Sequence, residues 1–210
     1  MIVYKPNKPH KWGINAWVLA ESWTGYVWNM DLYTGRKSST EVGMTKTVGT
    51  SLCAPIYGLG HHVYMDNYFS SPELFHELRD NGVGACGNQT DKAEETGTTC
   101  CWMRCHDTLF ITRFDKQQVS LISTIHNSRT FEKTVRAKGA HRNERTAEKP
   151  MAIELYTLNM KGVDLADQLP WYKIAQHRQV KWWKSFSFTC WRCPCAMLVQ
   201  SIASFILTRR

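Results

Sequence analysis

The chain has 210 residues, 43% hydrophobic and 12% aromatic, which is enough for one domain with a buried core. A formal net charge of +8 and a sequence pI near 9.1 favour a polyanion such as nucleic acid as partner and disfavour polycationic ones. Residues 1–9 lack the apolar core of a secretory leader, and the longest apolar run, residues 196–207, is interrupted by Gln200 and serines and is too short to span a membrane. A soluble intracellular protein is expected, with its eight cysteines mostly reduced thiols.

Residues 12–20 and 26–33 alternate loosely between apolar and polar, and the turn chemistry of residues 21–25 between them predicts a β-hairpin. Residues 34–40 read as a polar, glycine-containing loop. After a mixed segment, residues 61–66 form a predicted strand. Ser70-Ser71-Pro72-Glu73 then starts a helix: serine as cap, proline in the first turn, an acid near the positive end of the dipole. Leu74, Phe75 and Leu78 give that helix one apolar face, and Asn81-Gly82 ends it. Residues 83–86 are a predicted strand leading into a polar loop over 87–99. Short strands over 101–105, 108–113 and 119–125, with tight separators, predict a meander.

Residues 127–150 are rich in Lys, Arg, Thr and Glu and read as an exposed, mobile basic loop. Residues 154–210 have a helical pattern, interrupted at Gly162 and Pro170. Trp182, Trp183, Phe186, Cys190, Cys193, Met197, Ile202 and Phe205 recur there near helical spacing. Strands, a helix, more strands and C-terminal helices indicate one α/β or α+β domain across residues 1–210.

Two short runs set an aspartate against apolar or aromatic neighbours. Asp66 ends a predicted strand, and Asp164 opens a predicted helix with Asp167 three residues on, sharing its face. Carboxylates converging from separate elements are what hard divalent cations require. The bland reading makes Asp66 and Asp164 helix caps and Asp167 a solvated surface acid. Lys133, Arg136, Lys138, Arg142 and Arg145 are candidate DNA-backbone contacts, diluted by Glu132, Glu144 and Glu148. Lys173, Arg178, Lys181 and Lys184 with Trp182 and Trp183 are a second such set, although core packing suits the tryptophans better. A zinc site at Cys100, Cys101, Cys105 and His106, or at Cys190, Cys193 and Cys195, lacks tidy paired spacing. Cys53 and Cys86 read as core thiols, and His61 and His62 as exposed or singly packed. No Gly-x-Ser-x-Gly motif or phosphate-cradling glycine loop occurs.

Four stretches, in order, resemble piggyBac-type transposases. Residues 4–14 look like the family's "YxPxKPxKxGIK" run. Tyr64-Met65-Asp66-Asn67-Tyr68-Phe69 resembles its second acidic motif, and Leu121-Ile122-Ser123-Thr124-Ile125-His126-Asn127 the strand ending in "LLSTxHN". Gly162-Val163-Asp164-Leu165-Ala166-Asp167-Gln168 resembles "GGVDxxDQ". The resemblance implies an α/β, RNase H-like domain with a mixed sheet and C-terminal helices. It also implies Asp66 and Asp164 as second and third ligands of Mg2+ or Mn2+, with Asp167 as an auxiliary acid. It further implies DNA as partner, a homodimer, nuclear location, and neither membrane nor small-molecule cofactor. In the family a first aspartate stands in a strand just upstream of the "YxPxKP" run. The sequence opens Met1-Ile2-Val3-Tyr4, so that strand and acid are expected to be absent, leaving an unpaired sheet edge. Lys161 replaces a family glycine, and residues 87–95 have lost most of the family's basic character. The expectation is a transposase-derived domain without strand-transfer activity that at most binds DNA. The alternatives are a protein-interaction module on a decayed scaffold, or an active enzyme whose first acid is supplied elsewhere.

Overall fold

A computed structural model describes residues 2–4, 6, 12–33, 43–89, 100–105, 107–114, 118–136, 144–165 and 199–209. Two antiparallel strands, β2 (Trp12–Glu21) and β3 (Val27–Leu32), form the expected hairpin, and the short β1 (Ile2–Tyr4) pairs with the start of β2. Helix α1 (Met44–Cys53) follows, unpredicted because three of its first seven residues are threonine, a weak helix former. Thr47 and Thr50 hydroxyls bond back to the Gly43 and Lys46 carbonyls, and Asn29 of β3 donates to the Leu52 carbonyl at 3.1 Å. Burial of Val48, Leu52 and Cys53 holds the helix.

The strand β4 (His61–Met65) runs through helix α2 (Pro72–Asp80) into a parallel neighbour, β5 (Gly84–Gln89). As expected, Ser71 caps α2 by accepting the Leu74 amide, Pro72 opens it, and Leu74, Phe75 and Leu78 are its buried face. Gly82, at φ 75°, lets the chain leave the helix, and the Val83 amide closes the end on the Leu78 carbonyl. β5 extends past its predicted end because Gly87, Asn88 and Gln89 pair with Ile122, Leu121 and Ser120. The meander is present as β6 (Cys100–Cys105), β7 (Thr108–Phe114) and β8 (Gln118–Ser123).

Two expectations fail. The stretch read as a mobile loop is a hairpin, β9 (Thr130–Arg136) with β10 (Glu144–Pro150), in register from Glu144 opposite Arg136 to Pro150 opposite Thr130. Its threonines, Phe131 and Val135 suit a pleated strand, and the polar composition concealed that. After helix α3 (Met151–Asn159) and a helical turn at 162–165, the chain ends in a strand, β11 (Val199–Arg209), where helix was expected. Val199, Ile202, Phe205 and Ile206 fit helical spacing, but β-branched and aromatic residues suit either state, and pairing decides. β11 lies between β2, to which it is parallel, and β4, to which it is antiparallel. The facing edges of β2 and β4 are therefore both paired. The sheet order is β1-β2-β11-β4-β5-β8-β7-β6, with β3 beside β2, a mixed sheet as expected. The polar loop expected at 34–40 lies outside the described residues.

Alternation along the central strands sends side chains to two cores. Trp17, Leu19, Val63 and Met65 pack with Leu52, Leu74, Phe75 and Leu78 beneath α1 and α2. Ala16, Val18, Ala20, Tyr64 and Cys86 pack with Val163, Tyr156 and Met160 on the α3 side. Phe75→Ala should destabilise the domain by about 3–5 kcal/mol, because a fully buried ring leaves a cavity that helix and sheet fill only partly. Urea unfolding monitored by circular dichroism measures the loss.

Candidate active site

Asp66 is the first residue beyond β4, where a strand buried on both faces reaches half-exposed ground. Its turn is fixed by local bonds. The carboxylate Oδ1 accepts the Tyr68 amide at 3.2 Å, the Asp66 carbonyl accepts the Phe69 amide at 3.3 Å and the Ser70 hydroxyl at 2.8 Å, and Phe69 is buried as an anchor. Asp66 therefore does not cap α2; Ser71 does. The turn sits tightly on β5: a Cβ at Gly87 would run into the Ser70 hydroxyl, which is itself held on the Asp66 carbonyl, so glycine suits this close approach. Burial pushes the Asp66 carboxyl up to about 6, partly offset by the Tyr68 and Phe69 amides. Among the described residues no Lys or Arg pairs with it. A half-buried carboxylate without a basic partner, outside the carboxyl end of a parallel strand, is suited to a cation.

Toward the opposite, amino end of β4, beside His62 and Gly84, the chain leaves β8. Ser123 Oγ accepts the Ile125 and His126 amides at 3.1 and 3.2 Å and lies 2.8 Å from His126 Nδ1. Burial, and then the neighbouring His62, push His126 down to about 4, so it is neutral at physiological pH. The His126 ring lies 6.2 Å from that of Tyr64. Cys86 and Cys53 are buried, as expected, and burial pushes both thiols up to about 12. His61 is also buried, the packed rather than the exposed of the two expected alternatives, with its ring 6.3 Å from that of Trp28.

Asp164 lies within the helical turn 162–165, exposed, where an acid is favoured by the free amides of a first turn. The turn is pressed onto the β2–β3 connection: a Cβ at Gly162 would meet the Glu21 carbonyl oxygen at 2.7 Å and the Ser22 Cα at 2.9 Å. Val163 joins the cluster that holds Tyr64 and Cys86. The register sets the two acids apart: Glu21, on which Gly162 rests, shares a rung with Val63 through Leu207 of β11, whereas Asp66 stands three residues further on, past the carboxyl end of β4. No group of three His, Cys, Asp or Glu converges among the described residues. The oxygen ligands present fit a hard divalent cation in kind, and two carboxylates are too few for a pair of them.

Sequence reasoning missed the groups that hold α3 to the sheet. Tyr156 donates its hydroxyl to the Met65 carbonyl at 3.2 Å. Asn159 accepts the Ser22 hydroxyl at 3.0 Å and bonds the Tyr64 hydroxyl. Tyr156, Asn159 and Gly162 recur every third residue, a helical spacing that could have marked one docking face. Among the basic candidates, Lys133 is ion-paired with Glu154 of α3. Arg136 and Arg145 lie in β9 and β10, in register with Glu144 and Val135. Lys138, Arg142, Arg178, Lys181 and Asp167 lie outside the described residues, as do Lys173, Lys184, His106 and the cysteines at 190, 193 and 195.

A family model described as Transposase IS4 matches residues 1–192. The structure is similar to that of a piggyBac transposase in a synaptic complex with hairpin DNA, with a TM-score of 0.66 and 20% identity. The match covers 87% of this chain and 39% of that one, and at this identity the likeness is one of fold. This chain thus spans well under half the length of the transposase it matches.

The two shifted groups have opposite signs in stability. The fold favours protonated Asp66, so its contribution is lost as pH rises from about 4 to about 6. The fold favours neutral His126, so its contribution is lost as pH falls from about 6.5 to about 4. Asp66→Asn removes the first term alone. Urea midpoints between pH 4 and 7 should rise more steeply with pH in the variant than in the parent chain, and parallel profiles would show that Asp66 titrates normally.

Proposed function

We propose that this chain, which belongs to the piggyBac-type transposase family, is a transposase-derived RNase H-like domain that binds DNA through phosphate contacts and holds a divalent cation weakly, without carrying out strand transfer. The observation that carries the reading is Asp66, a half-buried carboxylate without a basic partner among the described residues, just beyond the carboxyl end of a parallel strand. In such a site Mg2+ or Mn2+, when bound, stabilises charge on the attacking and leaving oxygens of an in-line phosphoryl displacement. Asp66 would supply an oxygen ligand there, with Asp164 and Asp167 the further acids that the family motif proposes. The Asp66 turn fixes that carboxylate through the Tyr68 amide and the Ser70 hydroxyl.

DNA binding is supported by the net charge of +8 and by the fold's likeness to a transposase whose complex contains hairpin DNA. Arg136, Lys138, Arg142, Arg145, Arg178 and Lys181 are the proposed phosphate contacts, and Lys133 joins them only by leaving Glu154. A nucleus-located homodimer accords with the family. Among the described residues no helix is long and apolar enough to cross a membrane. Exposed aromatics favour a second reading as a protein-interaction module. Trp23 at the β2–β3 turn is 73% exposed, and Tyr26 and Trp28 stand edge to face beside it with ring centroids 6.0 Å apart.

Two titrations test the reading. Calorimetry with Mg2+ should give a dissociation constant of about 1 mM or weaker, abolished by Asp66→Asn; much tighter binding would instead indicate an intact catalytic site. Duplex DNA should be retained at low salt with log affinity falling linearly in log salt, at a slope of about 0.9 per phosphate neutralised. Absence of binding at low salt would leave the interaction-module reading in its place.

A further inference from the structure

We infer that DNA meets the β9–β10 hairpin on one face only, that of Lys133, Arg145 and Lys149, and that Glu154 of α3 occupies this face in place of a phosphate until DNA displaces it. The inference rests on the proposed DNA reading, and it adds which hairpin residues take the backbone and which acid competes with it.

Strand pairing sorts the charges. Residues directly opposite one another in an antiparallel ladder share a face, and so do alternate residues along each strand. Lys133 stands opposite Ala147, Phe131 opposite Lys149 and Val135 opposite Arg145. One face therefore carries Lys133, Arg145 and Lys149 and no acid. The other carries Glu132 opposite Glu148 and Arg136 opposite Glu144. Arg136 is thus answered within the hairpin by a cross-strand acid, and its face is negative overall.

Glu132 and Glu148 are exposed, whereas Phe131, Lys133 and Lys149 are half-buried, so the basic face turns toward the body of the domain. There Lys133 pairs with Glu154, in the first turn of α3. A separate element thus brings an acid to a face that has none of its own. The pair is within reach of a ligand, because 42% of the Lys133 side chain and 38% of the Glu154 side chain are accessible. An ion pair this open is a weak latch. A nucleic-acid backbone that meets several cations at once also releases condensed counterions, which a lone carboxylate does not.

The hairpin does not depend on the latch for its position. Arg113 of β7, itself buried, donates from Nη1 to the Glu148 carbonyl at 2.8 Å. The Met151 amide donates to the Arg129 carbonyl at 2.9 Å. These bonds hold the base of the hairpin to the sheet and to α3, and neither uses Lys133 or Glu154. Opening the pair therefore frees a cation without releasing the hairpin.

Two pairs of full-chain variants, each pair matched in net charge, test the assignment by duplex DNA binding across a salt series, read by fluorescence anisotropy. Glu154→Gln and Glu132→Gln each remove one negative charge; Lys149→Gln and Arg136→Gln each remove one positive charge. Glu154→Gln should tighten binding about threefold and steepen the fall of log affinity with log salt by about 0.9, one further phosphate neutralised. Lys149→Gln should weaken binding about threefold and flatten that slope by about 0.9. Glu132→Gln and Arg136→Gln should leave the slope as it is, and Lys149→Arg, which keeps the charge, should bind as the parent does. Equal shifts within either pair would show that net charge alone matters, overturning the inference while DNA binding stands. A larger effect from Arg136→Gln or Glu132→Gln, or a loss in Lys149→Arg, would overturn it too. If the parent chain is not retained at low salt but Glu154→Gln is, the competing role of Glu154 is upheld. If neither is retained, the DNA reading falls and the inference with it.

Discussion

A strand buried on both faces cannot carry an ionised carboxylate along its length, because the desolvation penalty has nothing to offset it. β4 is such a strand: Val63 and Met65 face one core, Tyr64 the other, and all three are almost wholly inaccessible. Its acid can stand only where the strand leaves the core, and Asp66 stands there. The parallel step from β4 through α2 to β5 then sets the surroundings. It places the turn against Gly87 and leaves the carboxylate half-covered, high in pKa and open on one side. The position and the chemical character of the site share this one origin.

The segment that carries Asp164 is held by a helix rather than by the sheet. α3 carries a mostly apolar surface, but what orients it is polar: the Tyr156 hydroxyl, the Asn159 amide, and a backbone contact at Gly162. Apolar packing tolerates sliding and rotation, whereas a hydrogen bond from a rigid ring to a strand carbonyl does not. Placement of Asp164 therefore depends on a few directional contacts layered on a broad hydrophobic one.

β11 illustrates how a central position in a sheet is filled. It makes a parallel ladder with β2 and an antiparallel one with β4, and it shields the edges of both. An open slot there would expose unpaired amides and carbonyls along the two most buried strands of the domain, which is costly in water and hazardous in a crowd. Ile202, Phe205 and Ile206 give the segment the β-forming side chains the slot favours.

The β2–β3 hairpin, the Ser71–Pro72 start of α2, its exit at Gly82, the β6–β8 meander and the place of Asp66 at a strand end were all legible in the sequence. Each follows from rules acting within about ten residues: alternation, capping and turn chemistry. α1 was illegible because its threonines oppose helix formation and only burial of Val48 and Leu52 reverses that. The hairpin of β9 and β10 hid behind polar composition, and β11 behind an apolar spacing that helix and strand share. Tyr156 gave no local sign of its role, because its partner, Met65, lies 91 residues away in the chain. The sequence by itself determined which local shapes the segments prefer and where charge interrupts them. Only the tertiary structure decided which strand fills the centre of the sheet and which side chains fasten α3 to it, since those choices are energies between distant segments that no local pattern encodes.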